Sequence, residues 1–276
     1  MKANTEGMAQ FYYENSDINQ KVLHDAYIRG ANKVLSLLST CVYPDAPYIN
    51  YPLTEDQLHL GPPHHSNFGY AYAKRMVDVM SRAYRQQYGC NFITAIPNNL
   101  YGENDNFDLE NSHVIPALIR KVWEAKINKE PSVFCWGDGS PLREFTYSED
   151  IARILLFLME NYDESEPINI GNTDEHSIKE VVEMICDILG YDGELEWQTD
   201  QPSGHWKSST SSICLSLSKG SVSAFSLISF CLSINILEIS WQSSSLALER
   251  KSLDAYRIWQ LEYTDLLCHT HLHLDS

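Results

Sequence analysis

The chain reads as a doubly wound α/β fold built on a parallel sheet. Three observations predict it. Lys33-Val-Leu-Ser-Leu-Leu-Ser-Thr40 and Asn91-Phe-Ile-Thr-Ala-Ile-Pro97 are short apolar runs without alternation, as expected of strands covered on both faces. Stretches of helical periodicity stand before, between and after them, which is the rhythm of helix-linked parallel strands. Polar residues cluster after each run (Ser39-Thr-Cys41, then Asn98-Asn99), where ligands sit in open parallel sheets.

The elements follow in order. Residues 1–15 show no clear periodicity. Ile18, Val22, Leu23 and Ala26 recur at helical spacing over Ser16–Arg29, with Ser16 or Asp17 to cap the start and Gly30 to end it. After the first strand come Cys41-Val-Tyr-Pro44 and a loop rich in Pro and His. A helix is expected over Gly69–Gln87. It carries Tyr70 and Lys74, four residues apart and therefore on one face. The strand Asn91–Pro97 leads into Asn98-Asn99-Leu100-Tyr101-Gly102. Ser112–Lys126 is an amphipathic helix with His113 at its start, and Pro116 is tolerable in its first turn. Strands over Ser132–Gly137 and Arg143–Tyr147 flank the turn Gly137-Asp-Gly-Ser-Pro141. Ser148–Asn161 is a helix, Ile168–Gly171 a short strand, and Ser177–Leu189 a helix opened by a capping box of Ser177 and Glu180. Glu194–Thr199 is one further strand. From about Gly204 the chain is dense in serine and nearly free of charge until Glu238. Lys219, Gly220 and scattered serines interrupt its most apolar part, Ile213–Ile239, as a membrane span. His269, His271 and His273 lack a carboxylate or Cys scaffold, so no metal site is expected.

Composition narrows the functional classes. The 276-residue chain has 43% hydrophobic residues, enough for a sizeable core, and a formal charge of −17. That charge argues against nucleic-acid or anionic-membrane partners, while leaving room for a local basic pocket. Seven cysteines, widely spaced and without a C-x-x-C pair, fit reduced thiols in the cytoplasm better than a disulfide framework or a zinc site. The polar N-terminus lacks the apolar core of a signal peptide.

Tyr70 beside Lys74 pairs a proton donor with a charge that lowers its pKa. Ser39 lies at the preceding strand's end, in the Ser…Tyr-x-x-x-Lys order of short-chain dehydrogenases. Five segments narrow this: Ser39-Thr-Cys41-Val-Tyr-Pro44, Asn67-Phe-Gly-Tyr70-Ala-Tyr-Ala-Lys74-Arg75, Ile96-Pro-Asn-Asn-Leu-Tyr-Gly102, Asn111-Ser-His113-Val-Ile-Pro-Ala-Leu-Ile-Arg-Lys121 and Trp136-Gly-Asp-Gly-Ser-Pro-Leu-Arg143-Glu-Phe145. Together they resemble the GDP-L-fucose synthases of the extended short-chain dehydrogenase/reductase group, from about Asp17 to about Lys207. Singly, Cys41 would be a small buried hydrophobe, His113 a capping residue, Trp136 core and Arg143 surface. The five segments in order carry the resemblance.

The resemblance implies NADPH-dependent epimerisation and reduction of GDP-4-keto-6-deoxy-D-mannose to GDP-L-fucose. It implies Cys41 as base and His113 as acid, both with pKa values brought near neutrality by small shifts. Tyr70 then protonates the forming alkoxide, Lys74 lowers the Tyr70 pKa and binds the nicotinamide ribose, and Ser39 bonds the keto oxygen. NADP(H) would be lined by Leu37, Leu38, Ser39, Thr40, Tyr70, Lys74, Pro97, Asn98, Asn99, Leu100 and His113. The GDP-sugar would be held by Lys121, Trp136 and Arg143, and two copies would pair as a homodimer with the Tyr70 helix contributing. The implied fold is a Rossmann-type sheet with a smaller α/β substrate domain, with residues 1–110, 111–207 and 208–276 as cofactor-domain remnant, substrate domain and divergent tail not natively folded.

Two departures qualify the expectation. No G-x-x-G-x-x-G turn precedes Ser39, so the sheet is expected to be incomplete, lacking its first strands, with an exposed edge and poor NADPH binding. After Lys207 the pattern fades, an acidic loop residue giving way to Gln201-Pro-Ser203. The tail has the look of out-of-frame sequence and the N-terminus that of a late start. Two alternatives stand beside the main reading: another nucleotide-sugar epimerase or dehydratase, and a non-catalytic fragment that binds the full-length enzyme.

Overall fold

The computed structural model describes residues 7–45, 47–109, 112–200 and 207–208. A parallel sheet carries the first half of the chain, with strands β1 (Lys33–Leu37), β2 (Asn91–Pro97) and β6 (Ile168–Ile170) in the order β1-β2-β6. Helices α1 (Met8–Ile28) and α2 (Phe68–Tyr88) pack together on one face, and α4 (Ser148–Asn161) covers the other.

The register explains both layers. Val34 pairs with Phe92 and Leu37 with Ala95, so side chains of like direction stand side by side. Phe92, Ile96 and Val34 point to the α1–α2 layer, with Leu23, Val42 and Val77. Ala95, Leu35 and Leu37 point to the α4 layer, with Ile151, Ile154 and Leu158. A fully buried large apolar side chain of this kind contributes about 1.5–3 kcal/mol. β2 is buried almost throughout, whereas every residue of β1 is half-buried. Among the described residues β1 and β6 are the outer strands of this sheet, and β1 is the more exposed of the two.

The remaining elements form two smaller sheets. β3 (Asn99–Tyr101) pairs in parallel with β5 (Leu142–Tyr147), which also pairs antiparallel with β7 (Glu175–Ser177) and in parallel with β9 (Lys207–Ser208). β4 (Ser132–Trp136) pairs in parallel with β8 (Glu194–Gln198), next to helices α3 (Val114–Asn128) and α5 (Ile178–Leu189). The Ser177–Glu180 capping box is formed as expected, and Gly190 closes α5 in the left-handed conformation.

Most elements fall within two residues of the sequence expectation, and two boundaries differ by more. The first helix begins at Met8 rather than Ser16, because its first turns lie along α2. The strand from Lys33 ends at Leu37, and the chain then tightens into a 3₁₀ turn over Thr40–Val42. The serine-dense stretch beyond residue 208, with its terminal histidines, and the Gln201–Gly204 loop lie outside the described residues.

Candidate active site

The site grows from the carboxyl end of β1. Ser39 is extended (φ −158°, ψ 151°), and the next three residues turn, with Val42 N–H donating to Ser39 O at 3.0 Å and Tyr43 N–H to Thr40 O at 3.2 Å. Cys41 sits in the middle of this turn, and Arg75 of α2 latches the turn in place. Its Nε donates to Val42 O at 2.9 Å, its Nη2 reaches the same carbonyl, and its Nη1 donates to Gly61 O at 2.8 Å. Arg75 is buried, and burial lowers its pKa; three backbone contacts replace the water it loses.

One residue earlier on α2, Lys74 donates from Nζ to Leu37 O at 3.3 Å and stands 5.9 Å from the Tyr70 ring centroid. Burial lowers its pKa, and the neighbouring Cys41 acts against this. Ser39, Cys41, Tyr70 and Lys74 are thus brought together as the sequence predicts, by one turn and one helix face. Tyr70 is half-exposed, and Phe11 of α1 meets its ring edge-on at 6.4 Å. Gly69 allows this approach, since a Cβ there would stand 2.8 Å from Met8 O.

The electrostatics of Cys41 correct one expectation. Desolvation by burial pushes its thiol up to about 11, against a hydrogen bond with Ser39 and the charges of Lys74 and Arg75, all of which favour the thiolate. A base near neutrality is therefore not what this structure holds. The thiol is protonated, beside three groups that stabilise its ionised form.

His113 behaves otherwise. It precedes α3 in an extended conformation, and its contact of opposite charge is with Asp105, whose Oδ1 is 3.7 Å from Nδ1. Asp105 raises its pKa above the ordinary histidine value, against partial desolvation. That contact belongs to a different loop from the Cys41 turn.

Leu37 ends β1 and Leu38, Ser39 and Thr40 follow it, while Pro97 ends β2 and Asn98, Asn99 and Leu100 follow it. The two strands are parallel, so both sets lie at one edge of the sheet. Asn98 is pinned there. It donates from Nδ2 to Asn172 O at 2.8 Å and accepts at Oδ1 from the Thr146 hydroxyl at 2.7 Å. Gly171 (φ 139°) passes so close that a Cβ would stand 2.5 Å from Asn98 Oδ1. The residues present fit a nicotinamide ribose on one observation. The desolvated Lys74 ammonium has three protons, and among the described residues its hydrogen bond is the single long one to Leu37 O.

Of the three residues expected to hold a GDP-sugar, the structure brings two together. Lys121 Nζ lies 5.5 Å from the exposed Trp136 ring and donates to Phe134 O at 3.1 Å. Arg143 stands on β5, donating to Leu142 O at 2.6 Å, with burial lowering its pKa and Tyr51 opposing. Sequence reasoning missed Arg75, Phe11 and Asp105. Only Arg75, adjacent to Lys74, carried a signal.

Comparison with known proteins agrees with this geometry. The NAD dependent epimerase/dehydratase family profile matches residues 1–171. A GDP-L-fucose synthase of Dictyostelium discoideum is 41% identical over 215 residues, 77% of this chain and 66% of that protein. One from Sinorhizobium fredii is 44% identical over 202 residues, 73% of this chain and 64% of that protein. The chain thus spans slightly under two thirds of the curated relatives' length. A crystal structure of a GDP-L-fucose synthetase from Naegleria fowleri bound to NADP superposes with a TM-score of 0.78 at 36% identity, over 82% of this chain and 73% of that one. The parallel sheet, the Tyr70–Lys74 helix and these matches together show that the chain belongs to the NAD dependent epimerase/dehydratase family.

Proposed function

We propose that the chain carries the proton-handling apparatus for converting GDP-4-keto-6-deoxy-D-mannose to GDP-L-fucose with NADPH. The observation that carries this reading is the assembly of Ser39, Cys41, Tyr70 and Lys74 on one turn and one helix face. A 4-keto group acidifies the protons at C3 and C5. Cys41, ionised with the help of Ser39, Lys74 and Arg75, takes one such proton to leave an enolate, and His113 returns a proton to the opposite face of that carbon. NADPH, when bound, supplies the hydride that reduces C4. Tyr70 gives its phenolic proton to the C4 oxygen as the alcohol forms, and Lys74 steadies the resulting phenolate. Lys121 and Arg143 are assigned to the diphosphate and Trp136 to an aromatic stacking face for the GDP-sugar. Residues 1–110 then form the cofactor side and 111–207 the substrate side.

The test separates the two halves of the reaction. Incubated with the keto sugar in D2O without NADPH, the chain is expected to wash deuterium into C3 and C5, read by proton NMR. Cys41→Ser should abolish it, and His113→Asn should abolish inversion at the exchanged carbons. Exchange no faster than without protein would overturn the reading. Equal exchange on UDP-4-keto sugars would favour a different nucleotide-sugar epimerase.

The outer faces of α1 and α2 favour a second statement. Ile18, Val22, Met76 and Val79 are exposed there. We assign this face to pairing with a second copy, as a homodimer or with a longer relative, and sedimentation of the chain alone and mixed with a full-length relative distinguishes the two. Among the described residues no helix is long and apolar enough to cross a membrane; residence in the cytoplasm is proposed from the reduced cysteines.

A further inference from the structure

The turn that follows β3, over residues 102–109, is pinned. Glu103 accepts the Tyr147 hydroxyl from the end of β5. Asp105 N–H donates to Gly102 O at 3.1 Å, Asn106 Oδ1 accepts from Asp108 N–H at 2.9 Å, and Arg120 of α3 donates to Phe107 O at 2.9 Å. The turn thus fixes Asp105, whose Oδ1 also accepts Asn106 N–H at 2.8 Å. Its carboxylate side chain is 16% exposed, whereas the His113 side chain 3.7 Å away is 82% exposed. An exposed imidazole beside an anchored carboxylate takes its orientation from the carboxylate. His113 also sits at the N-terminus of α3, where the helix field disfavours an imidazolium. Among the described residues the charged group facing His113 is Asp105, so the carboxylate is what offsets that field.

We propose that Asp105 is the positioning residue for His113: it holds the proton on Nδ1, orients the ring, and leaves Nε2 as the nitrogen that meets the sugar. This rests on the reading of His113 as the acid. The imidazolium gives its Nε2 proton to the enolate carbon and becomes the neutral Nδ1–H tautomer, with the carboxylate accepting from Nδ1–H throughout. Asp105 neither gains nor loses a proton, and Nε2 is reprotonated from solvent for the next cycle.

The full chain, labelled with ¹⁵N in histidine, tests this by NMR, with His113 signals assigned from the His113→Asn spectrum. The neutral wild-type ring is expected as the Nδ1–H tautomer; an Nε2–H tautomer would overturn the inference without any variant of Asp105. Asp105→Asn should lower the His113 titration midpoint, and Asp105→Glu should restore most of it. An unchanged midpoint in a folded Asp105→Asn protein, checked by its amide spectrum, also overturns it. The deuterium exchange keeps the two readings apart. If Asp105→Asn moves the midpoint but His113→Asn retains inversion at the exchanged carbon, the pairing stands and the acid role of His113 falls.

Discussion

Cys41 offers a quantitative test of the site's electrostatics. Its thiol is pushed up to about 11 from an ordinary 9.0. At pH 9 an unperturbed thiol is half ionised, whereas Cys41 is ionised in about one molecule in a hundred, so alkylation by iodoacetamide should run on the order of fiftyfold slower than for N-acetylcysteine. The rate should rise about tenfold per pH unit up to about pH 10. The same shift is a stability statement. A thiol raised in the folded state contributes fully below its unfolded pKa and loses that contribution as pH climbs from about 9 through about 11. Two units correspond to about 2.7 kcal/mol. Urea unfolding midpoints should fall across that window, and fall less in Cys41→Ser. Because Ser39, Lys74 and Arg75 all favour the thiolate, Ser39→Ala and Lys74→Met should slow alkylation further. Peptide-mapped mass spectrometry separates Cys41 from Cys90, Cys135 and Cys186, the other free thiols among the described residues. A Cys41 midpoint near 8, or faster alkylation after Lys74→Met, would refute the reasoning.

Three more perturbations probe the frame around the site. Gly171→Ala places a Cβ against Asn98 at a φ of 139° and should cost at least about 1–3 kcal/mol, read by urea denaturation. Asp78→Ala removes a fully buried carboxylate held by Arg82 at 3.0 Å and His59 at 2.9 Å, with an expected loss of about 3–5 kcal/mol; Asp78→Asn, which keeps part of the hydrogen bonding, should lose less. Leu23→Ala hollows the layer between α1 and the sheet and should cost about 2–5 kcal/mol, which thermal melts followed by circular dichroism would register.

The sequence was most legible where one signal decided an element. Asn91–Pro97 is found end to end, because an unbroken apolar run stops at a proline. Ser148–Asn161 is likewise found whole, and Ser177 with Glu180 marks the start of α5. Elements held by distant partners were hidden. Residues 8–15 carry exposed Tyr12 and Tyr13, and only their packing on α2 reveals them as helix. Glu175–Ser177 is polar and three residues long, and becomes a strand through its pairing with Leu142–Glu144. Within the site, Tyr70 and Lys74 were readable because helical spacing fixes their face. The acidity of Cys41 was not, since desolvation depends on how the turn is packed in three dimensions, which no local pattern reports. Asp105 was invisible for a similar reason: eight positions separate it from His113, and the turn that holds it is anchored by the distant Tyr147 and Arg120.

Arg75 has a mechanical consequence. The helix that carries Tyr70 and Lys74 also grips the carbonyl of the residue after Cys41, so these three groups share one rigid body and drift little relative to one another. His113 rides on a separate support. On the proposed reading the sugar ring turns over between these two supports, so its fit is set by how they stand relative to one another.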